Sequence, residues 1–96
     1  IAILPWSRKI ELQTKAKEVL NILKGTYQTQ YDETASIGKR YRRQDEIGTP
    51  YCLTVDFDSL TDNSVTVRDR DTMKQERIEI SQLKDYFKLK LWTKNF

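Results

Sequence analysis

The stretch Tyr51-Cys52-Leu53-Thr54-Val55-Asp56-Phe57 decides the fold of this chain of 96 residues. Large apolar side chains occupy every second position, and this period of two predicts a half-buried β-strand. The residues expected on its apolar face are Tyr51, Leu53, Val55 and Phe57. Val65 and Val67 repeat the alternation, opposite Thr66, Arg68 and Arg70. Because the intervening Asp58–Asn63 is rich in turn-forming residues, the two stretches predict an antiparallel hairpin.

Upstream of this hairpin, the hydrophobic period changes from strand to helix and back twice. The elements predicted there are a strand at 1–4, a helix from about Ser7 to Gly25, a strand at 27–31 and a helix from Ser36 to about Ile47. Pro5 is expected to end the first strand, and Gly48 and Pro50 to stop the second helix. We expect a structural role for three residues, which would support the neighbouring candidate binding residues: Gly48, Pro50 and Asp69.

Downstream of the hairpin, Ile78 and Ile80 predict a fifth strand, and Ser81 is expected to cap a final helix. Leu83 and Phe87 would share one face of that helix. The resulting order of elements predicts an α/β fold, a five-stranded mixed β-sheet packed by three α-helices. We expect residues 1–96 to form a single domain. Because the chain opens directly on a buried strand, we also expect it to be a piece of a longer protein.

Composition restricts the chemistry that this chain can perform. It contains no histidine and a single cysteine, Cys52, which excludes histidine-based triads, histidine metal sites and an internal disulfide. We therefore expect no catalytic residue, no metal site and no cofactor in this domain. No apolar run approaches the roughly 20 residues of a membrane span, so no membrane partner is expected. The net charge of +3 suits a polyanionic partner only weakly, because many ordinary domains carry as much.

Two dense charged motifs carry the functional information. The first reads Ser36-Ile37-Gly38-Lys39-Arg40-Tyr41-Arg42-Arg43-Gln44-Asp45-Glu46-Ile47-Gly48-Thr49-Pro50-Tyr51. The second reads Val67-Arg68-Asp69-Arg70-Asp71-Thr72-Met73. An arginine fork is best matched to phosphate, carboxylate or a base edge, so arginines grouped in this way favour a binding role.

Together, these two motifs resemble the anticodon-binding domain of glycyl-tRNA synthetase, of the class IIa type. The resemblance covers nearly the whole chain, and it implies a C-terminal domain of a longer synthetase. It further implies a cytoplasmic, homodimeric parent enzyme whose separate catalytic domain joins glycine to its tRNA using ATP, with Mg²⁺ as an additional expected cofactor. This chain would contribute recognition of the anticodon loop of glycine tRNA. Two other functions stay open: a stand-alone nucleic-acid-binding accessory domain of the same fold, and a protein–protein interaction domain.

The first motif predicts a helix with one basic side. Its other side is expected to carry Ile37, Tyr41 and Gln44. The basic side is expected to carry Lys39, Arg42 and Arg43, with Arg40 near the boundary. The resemblance favours contact of these four cations with RNA. The alternative is a solvated face whose cations pair with nearby acids, for example Arg42 with Glu46 one turn later. Asp45 and Glu46 are expected to anchor local arginines or to accept from a base.

The second motif predicts two arginines on one face of the sheet. Arg68 and Arg70 lie two residues apart on a strand and therefore project together. Asp69 projects to the Val67 side, where we expect a buried or half-buried acceptor that orders the end of the strand. Asp71 joins the arginine face if the strand continues, or else it belongs to a turn.

This mixture of arginine and carboxylate suits cytosine, and the anticodons for glycine end in two cytosines. Cytosine presents an amino donor beside two acceptors, so a carboxylate can accept from it while an arginine donates to it. We therefore expect Arg68, Arg70 and Asp71 to bind RNA. The alternative is a ladder of cross-strand ion pairs, with Asp56 as a possible partner.

The aromatic side chains have two interpretations. Tyr41, Tyr51 and Phe57 could stack on unpaired bases, but their positions on apolar faces favour core packing. Trp6 and Trp92 lie near the two ends of the chain, where they could contact a neighbouring domain of the parent.

Overall fold

The predicted hairpin forms part of a five-stranded sheet in the computed structural model of the chain, which describes residues 1–33 and 36–94, the side chains of 92–94 excepted. The elements in chain order are β1 (Ala2–Pro5), α1 (Ile10–Leu23), β2 (Gln30–Tyr31), α2 (Ile37–Ile47), β3 (Tyr51–Val55), α3 (Ser59–Asp62), β4 (Ser64–Asp69), β5 (Gln75–Glu79), a 3₁₀ turn (Ile80–Gln82) and α4 (Leu83–Lys94).

The sheet is mixed, and its strand order is β2-β1-β3-β4-β5. β1 pairs in parallel with β2 and with β3, whereas β3–β4 and β4–β5 are antiparallel. In the central hairpin Leu53 lies opposite Val67, and Tyr51 lies opposite Asp69. The predicted five-stranded mixed sheet with helices is therefore confirmed.

The two faces of the sheet are covered by different helices. The larger core joins Leu53, Val55 and Val67 to apolar side chains of α1 and α4. Tyr51 is buried there, with its ring centroid 5.3 Å from that of Phe87, as predicted. The opposite face carries the smaller cluster, whose buried residues are Ala2, Leu4 and Cys52, and Ile37 and Tyr41 of α2 pack against it. Helix α2 therefore lies over the face that carries Arg68.

Local backbone chemistry fixes both ends of α2. The Ser36 hydroxyl accepts from the backbone N–H of Lys39 at 3.3 Å, which satisfies one of the free donors of the first turn. At the other end Gly48 has φ = 91°, and its N–H donates to the carbonyl of Gln44 at 3.0 Å. A left-handed residue after the last turn favours glycine, so the predicted stop is confirmed.

Several predicted boundaries are wrong. β3 ends at Val55, so Phe57 lies in a turn and is 46% exposed instead of packing in the core. The segment predicted only as a turn forms the short helix α3. Ile80 opens the 3₁₀ turn instead of ending β5, and Ser81 lies inside that turn instead of capping a helix. Here tertiary packing, which has no short-range sequence signal, sets the ends of the elements.

The remaining differences concern lengths. Helix α1 begins at Ile10 rather than near Ser7, and β2 is limited to Gln30–Tyr31. The side chain of Trp92 lies outside the described residues, so its expected contact with another domain stays a prediction. Within the described part of the chain, no helix is both long and apolar enough to cross a membrane.

Candidate nucleic-acid interface

Helix α2 presents the cations Lys39 and Arg42 to solvent. Lys39 and Arg42 are exposed, and neither side chain forms a hydrogen bond or ion pair with another described residue. The predicted pairing of Arg42 with Glu46 is thus absent from the contacts within residues 1–33 and 36–94. Both positions fit the predicted basic face, and both remain available to an anionic partner.

Arg43 is partly exposed and already has an acidic partner. Its guanidinium lies 2.5 Å from a carboxylate oxygen of Asp32, just after β2. The carboxylate is largely buried and the arginine is not, and this pair ties α2 to the residue that follows β2.

Arg40 does not lie on the surface that the sequence predicts for it. The residue is 2% exposed, and its guanidinium donates to the backbone carbonyls of Pro5, Trp6 and Asp32. Burial lowers the pKa of Arg40, but the neighbouring Asp32 favours the charged form. Because three carbonyl groups at the ends of two different strands converge on it, Arg40 holds the α2 helix against the carboxyl end of β1. The prediction that Arg40 contacts RNA is corrected accordingly.

Arg68 is also placed inside the protein, on the sheet face that the sequence predicts. It is 7% exposed, and its two terminal nitrogens donate to the two oxygens of Asp45 at 2.9 and 3.2 Å. The guanidinium carbon lies 5.0 Å from the ring centroid of Tyr41, and one nitrogen approaches the sulfur of Met73 at 3.1 Å. These contacts join strand β4 to helix α2.

The electrostatics of this pair support a structural role. The hydrogen bonds that Arg68 donates to Asp45 raise the pKa of Arg68 against the opposing effect of burial. Asp45 anchors an arginine, as expected, but that arginine is Arg68, 23 residues away in the chain rather than a neighbour in the helix. The alternative, in which Asp56 pairs with the arginines of β4, is wrong, because Asp56 pairs with Arg77 at 3.1 Å. Because Arg68 is buried and its two terminal nitrogens are bound to Asp45, its predicted role as a base reader is corrected.

The residues after β4 form a tight turn at the end of α2. One carboxylate oxygen of Asp69 accepts from the backbone N–H of Asp71 at 2.8 Å and of Thr72 at 3.3 Å. The half-buried Asp69 therefore orders the strand end, as predicted. Asp71 is exposed and belongs to this turn, not to the strand face.

Arg70 is the arginine of the second motif that stays exposed. Its backbone N–H donates to the carbonyl of Pro50 at 3.0 Å, and its guanidinium lies 3.3 Å from Asp71. A side-chain carbon placed on Gly48 would lie 3.8 Å from the Arg70 guanidinium, so Arg70 covers the glycine that ends α2. Gly48 and Pro50 thus support the position of Arg70. Of the three residues predicted to form a mixed arginine–carboxylate surface, Arg70 and Asp71 are exposed and Arg68 is buried.

A second exposed feature lies at the other end of β3 and was missed by sequence reasoning. Trp6, Asp56, Phe57 and Asp58 line a cavity of about 200 Å³, which we call the carboxyl-edge cleft because it follows the carboxyl ends of β1 and β3. Trp6 is 50% exposed, and its backbone N–H donates to the carbonyl of Val55 at 2.8 Å. The sequence signal that could have indicated this cleft is Pro5, which ends the first strand directly before Trp6.

The fold and these exposed groups define an α/β domain suited to nucleic-acid binding. The chain belongs to the anticodon binding domain family, whose model matches residues 1–90. It is 56% identical over 91 residues to the glycine–tRNA ligase of Clostridium kluyveri, covering 95% of this chain and 19% of that protein. It is 62% identical over 90 residues to the glycine–tRNA ligase of Ruminiclostridium cellulolyticum, covering 94% and 19%. The chain thus spans about a fifth of the length of these relatives.

Solved structures give the same fold. The prolyl-tRNA synthetase of Cryptosporidium parvum, crystallised with halofuginone and AMPPNP, superimposes with a TM-score of 0.89 at 24% identity, over 96% of this chain and 20% of that chain. The RNA binding domain of threonyl-tRNA synthetase from Cryptosporidium parvum Iowa II gives a TM-score of 0.82 at 28% identity, over 91% and 22%.

Proposed function

We propose that this chain is the anticodon-recognition domain of a glycyl-tRNA synthetase and binds the anticodon stem-loop of glycine tRNA. The observation that carries the proposal is the match of residues 1–90 to the anticodon binding domain family, together with identities of 50–62% to proteins named glycine–tRNA ligase. The exposed cations on α2 supply the electrostatic attraction that RNA binding requires.

The proposal includes the rest of the enzyme. Residues 1–96 would form the C-terminal domain of a cytoplasmic, homodimeric synthetase. A separate catalytic domain would bind ATP, Mg²⁺ and glycine and would attach the amino acid to the tRNA. No group of three or more metal-ligating side chains occurs in the described part of this chain, which supplies binding surface instead.

Different residues would make different kinds of contact. Lys39 and Arg42 would bind phosphates, because they are exposed and lack partners among the described residues. Phosphate contacts fix the register of the loop but carry no sequence information. Arg70 and Asp71 would face a base edge, since one donates and the other accepts at the same exposed turn.

A filter-binding titration tests the proposal. Glycine tRNA, a glycine tRNA with both anticodon cytosines replaced by uracil, and a non-cognate tRNA would be titrated against the 96-residue chain at fixed salt. We expect tighter binding of glycine tRNA than of either control. Equal affinity for all three would indicate a general nucleic-acid-binding module. Absence of binding at low salt would contradict the proposal and favour a protein–protein interaction domain.

A further inference from the structure

The second charged motif ends in Met73, the only methionine of the chain. Its backbone closes the turn after β4, where its N–H donates to the carbonyl of Asp69 at 2.8 Å, and its φ is 63°. This left-handed conformation suits glycine or a short polar residue better than a long side chain. What methionine adds at this position is therefore its unbranched, flexible side chain, which is long enough to reach Arg68.

The Met73 sulfur contacts the buried guanidinium of Arg68. The sulfur lies 3.1 Å from Nη2 of Arg68, and the same nitrogen lies 3.2 Å from a carboxylate oxygen of Asp45. A terminal guanidinium nitrogen carries two N–H groups, so Nη2 can donate to both partners at once. The sulfur is thus held at the edge of the Asp45–Arg68 ion pair, although Met73 is 60% exposed.

This contact makes the two sides of the sulfur atom unequal. Asp45 and the Tyr41 ring, whose centroid lies 5.0 Å from the guanidinium carbon, fix the direction from which Arg68 donates. The N–H of Arg68 therefore covers one side of the sulfur, and solvent reaches the other side because the residue is exposed. Oxidation of a thioether gives a chiral sulfoxide, so attack from one side produces one epimer.

The other sulfur atom of the chain is protected from oxidation. Cys52 is 2% exposed, and burial raises the pKa of its thiol to about 11. The thiolate is the reactive form of cysteine, so this thiol is inert near neutral pH. A mild oxidant in solution would therefore react with Met73 before it reacts with Cys52.

We propose that Met73 is a reversible oxidation site for hydrogen peroxide, and that its sulfoxide forms mainly as one epimer and accepts a hydrogen bond from Arg68. The sulfur gives an electron pair to one peroxide oxygen, and an S–O bond forms as the O–O bond breaks. The departing hydroxide takes the proton from the transferred oxygen and leaves as water. Sulfur is oxidised by two electrons and the peroxide is reduced by two.

The product would strengthen the link between the turn and the ion pair. A thioether sulfur is a weak acceptor, whereas the sulfoxide oxygen is a strong one. Rotation about the flexible Cγ–Sδ bond of Met73 brings this oxygen to the N–H of Arg68. Oxidation would therefore supply Arg68 with a second strong acceptor beside Asp45.

Mass spectrometry of the 96-residue chain tests the site and its geometry. Dilute hydrogen peroxide near neutral pH should add one oxygen to the folded chain, and none to Met73→Leu. After digestion, the Met73 peptide is treated with each of the two methionine sulfoxide reductases, which are specific for opposite epimers, with dithiothreitol as the reductant. We expect one enzyme to remove most of the added oxygen. If the chain is oxidised in concentrated urea, each enzyme should remove roughly half.

Replacing Arg68 tests the assigned cause of this selectivity. Arg68→Leu lacks the N–H and adds no sulfur, so the folded variant should give the two epimers in roughly equal amounts. Lys74→Leu is the matched control, because Lys74 is an exposed cation next to Met73 whose side chain does not contact the sulfur among the contacts described. It should keep the selectivity of the unmodified chain.

A second measurement uses Asp45→Ala, which keeps Arg68 and removes its carboxylate partner. Oxidation should raise the melting temperature of this variant by about 4 °C, because the sulfoxide oxygen replaces part of the lost hydrogen bonding at an exposed position. The melting temperature of the unmodified chain should change much less on oxidation, since Asp45 already binds the guanidinium. Adding Met73→Leu to Asp45→Ala should abolish the increase.

Each possible failure has a separate meaning. If Cys52 gains oxygen before Met73, the assigned site is wrong. If both reductases act equally on the product of the folded chain, or if Lys74→Leu loses selectivity as Arg68→Leu does, Arg68 does not hold the sulfur. If oxidation leaves the melting temperature of Asp45→Ala unchanged, the sulfoxide does not accept from Arg68. RNA affinity enters none of these outcomes, so this site and the proposed function can fail separately.

Discussion

Replacing Asp45 by alanine should destabilise this domain substantially, although Asp45 lies on an exposed helix. The substitution removes both hydrogen bonds from the Arg68 guanidinium, which stays buried with its ion-pair partner gone. Hydrogen bonds to charged groups contribute about 1.5–3 kcal/mol, and a buried charge left unpaired costs more than an exposed one. Because the Asp45 side chain is 34% exposed, water replaces part of the lost interaction.

We therefore expect a loss of about 2 kcal/mol in the free energy of unfolding, near the lower end of that range. For a domain of this size, such a loss lowers the melting temperature by about 8–16 °C. Arg68→Met keeps the volume of the side chain and removes its charge, so it should cost less than Asp45→Ala. The double variant, Asp45→Ala with Arg68→Met, should lose less free energy of unfolding than the two single losses added together. It contains neither charge, so it leaves no charge without its partner.

The unmodified chain, the two single variants and the double variant form a double-mutant cycle. Thermal and urea unfolding of these four proteins measures the coupling energy between Asp45 and Arg68, and RNA titration of each measures binding. Arg70→Ala is the control, since its guanidinium is exposed and pairs only with the exposed Asp71 among the contacts described. It should change the free energy of unfolding by less than about 0.5 kcal/mol. If Arg68→Met keeps full stability and instead abolishes discrimination between cytosine and uracil, the structural role of Arg68 is refuted and the base-reading role is restored.

Three further predictions follow from the surface, the turn and the core. Lys39→Ala and Arg42→Ala should each weaken tRNA binding without regard to sequence and reduce the slope of log affinity against log salt by about one unit, whereas unchanged slopes would indicate solvated side chains. Asp69→Ala should lower the free energy of unfolding by about 1–2 kcal/mol, measured in urea, because two backbone donors lose their acceptor; an unchanged midpoint would contradict this. Burial raises the pKa of Cys52 from its ordinary value of 9.0 to about 11, so the thiol stays neutral up to alkaline pH; stability linked to this shift is fully present below about pH 9 and is lost progressively as pH rises from 9 to about 11. Rapid alkylation of the folded chain near pH 8, detected by mass spectrometry, would be inconsistent with this burial.

The strand faces could be predicted from the sequence because they depend on a local period. Alternation in β3 and β4 places Leu53 and Val67 in one core and Arg68 on the other face, as the structure shows. The two caps of α2 could be predicted as well, since Ser36 and Gly48 act on the backbone within one turn. The faces of β3 and β4 and the two ends of α2 were therefore predicted correctly, whereas the helix at Ser59–Asp62 and the 3₁₀ turn at Ile80–Gln82 were not.

The environment of the arginines could not be predicted in the same way. Arg40 and Arg42 differ by two positions in one helix, yet one binds three backbone carbonyls in the interior and the other is exposed. The difference arises because β1 and β2 end beneath the first turn of α2, a contact between residues about 35 positions apart in the chain. An arginine cluster in a sequence thus does not distinguish cations that hold the fold together from cations that face a ligand.

This division of the arginines determines how the exposed charged groups are positioned relative to the sheet. The turn of Arg70 and Asp71 lies at the amino end of β3, and the carboxyl-edge cleft lies at its carboxyl end. The two sites are therefore separated by roughly the length of a five-residue strand, about 13 Å at 3.3 Å per residue step. Helix α2 spans this distance, because its first turn is held at the carboxyl edge by Arg40 and the glycine that follows its last turn, Gly48, is covered by Arg70. The buried Arg40 and Arg68 therefore fix the position of α2 on the sheet, and with it the spacing between the exposed cations of the helix and the turn of Arg70 and Asp71.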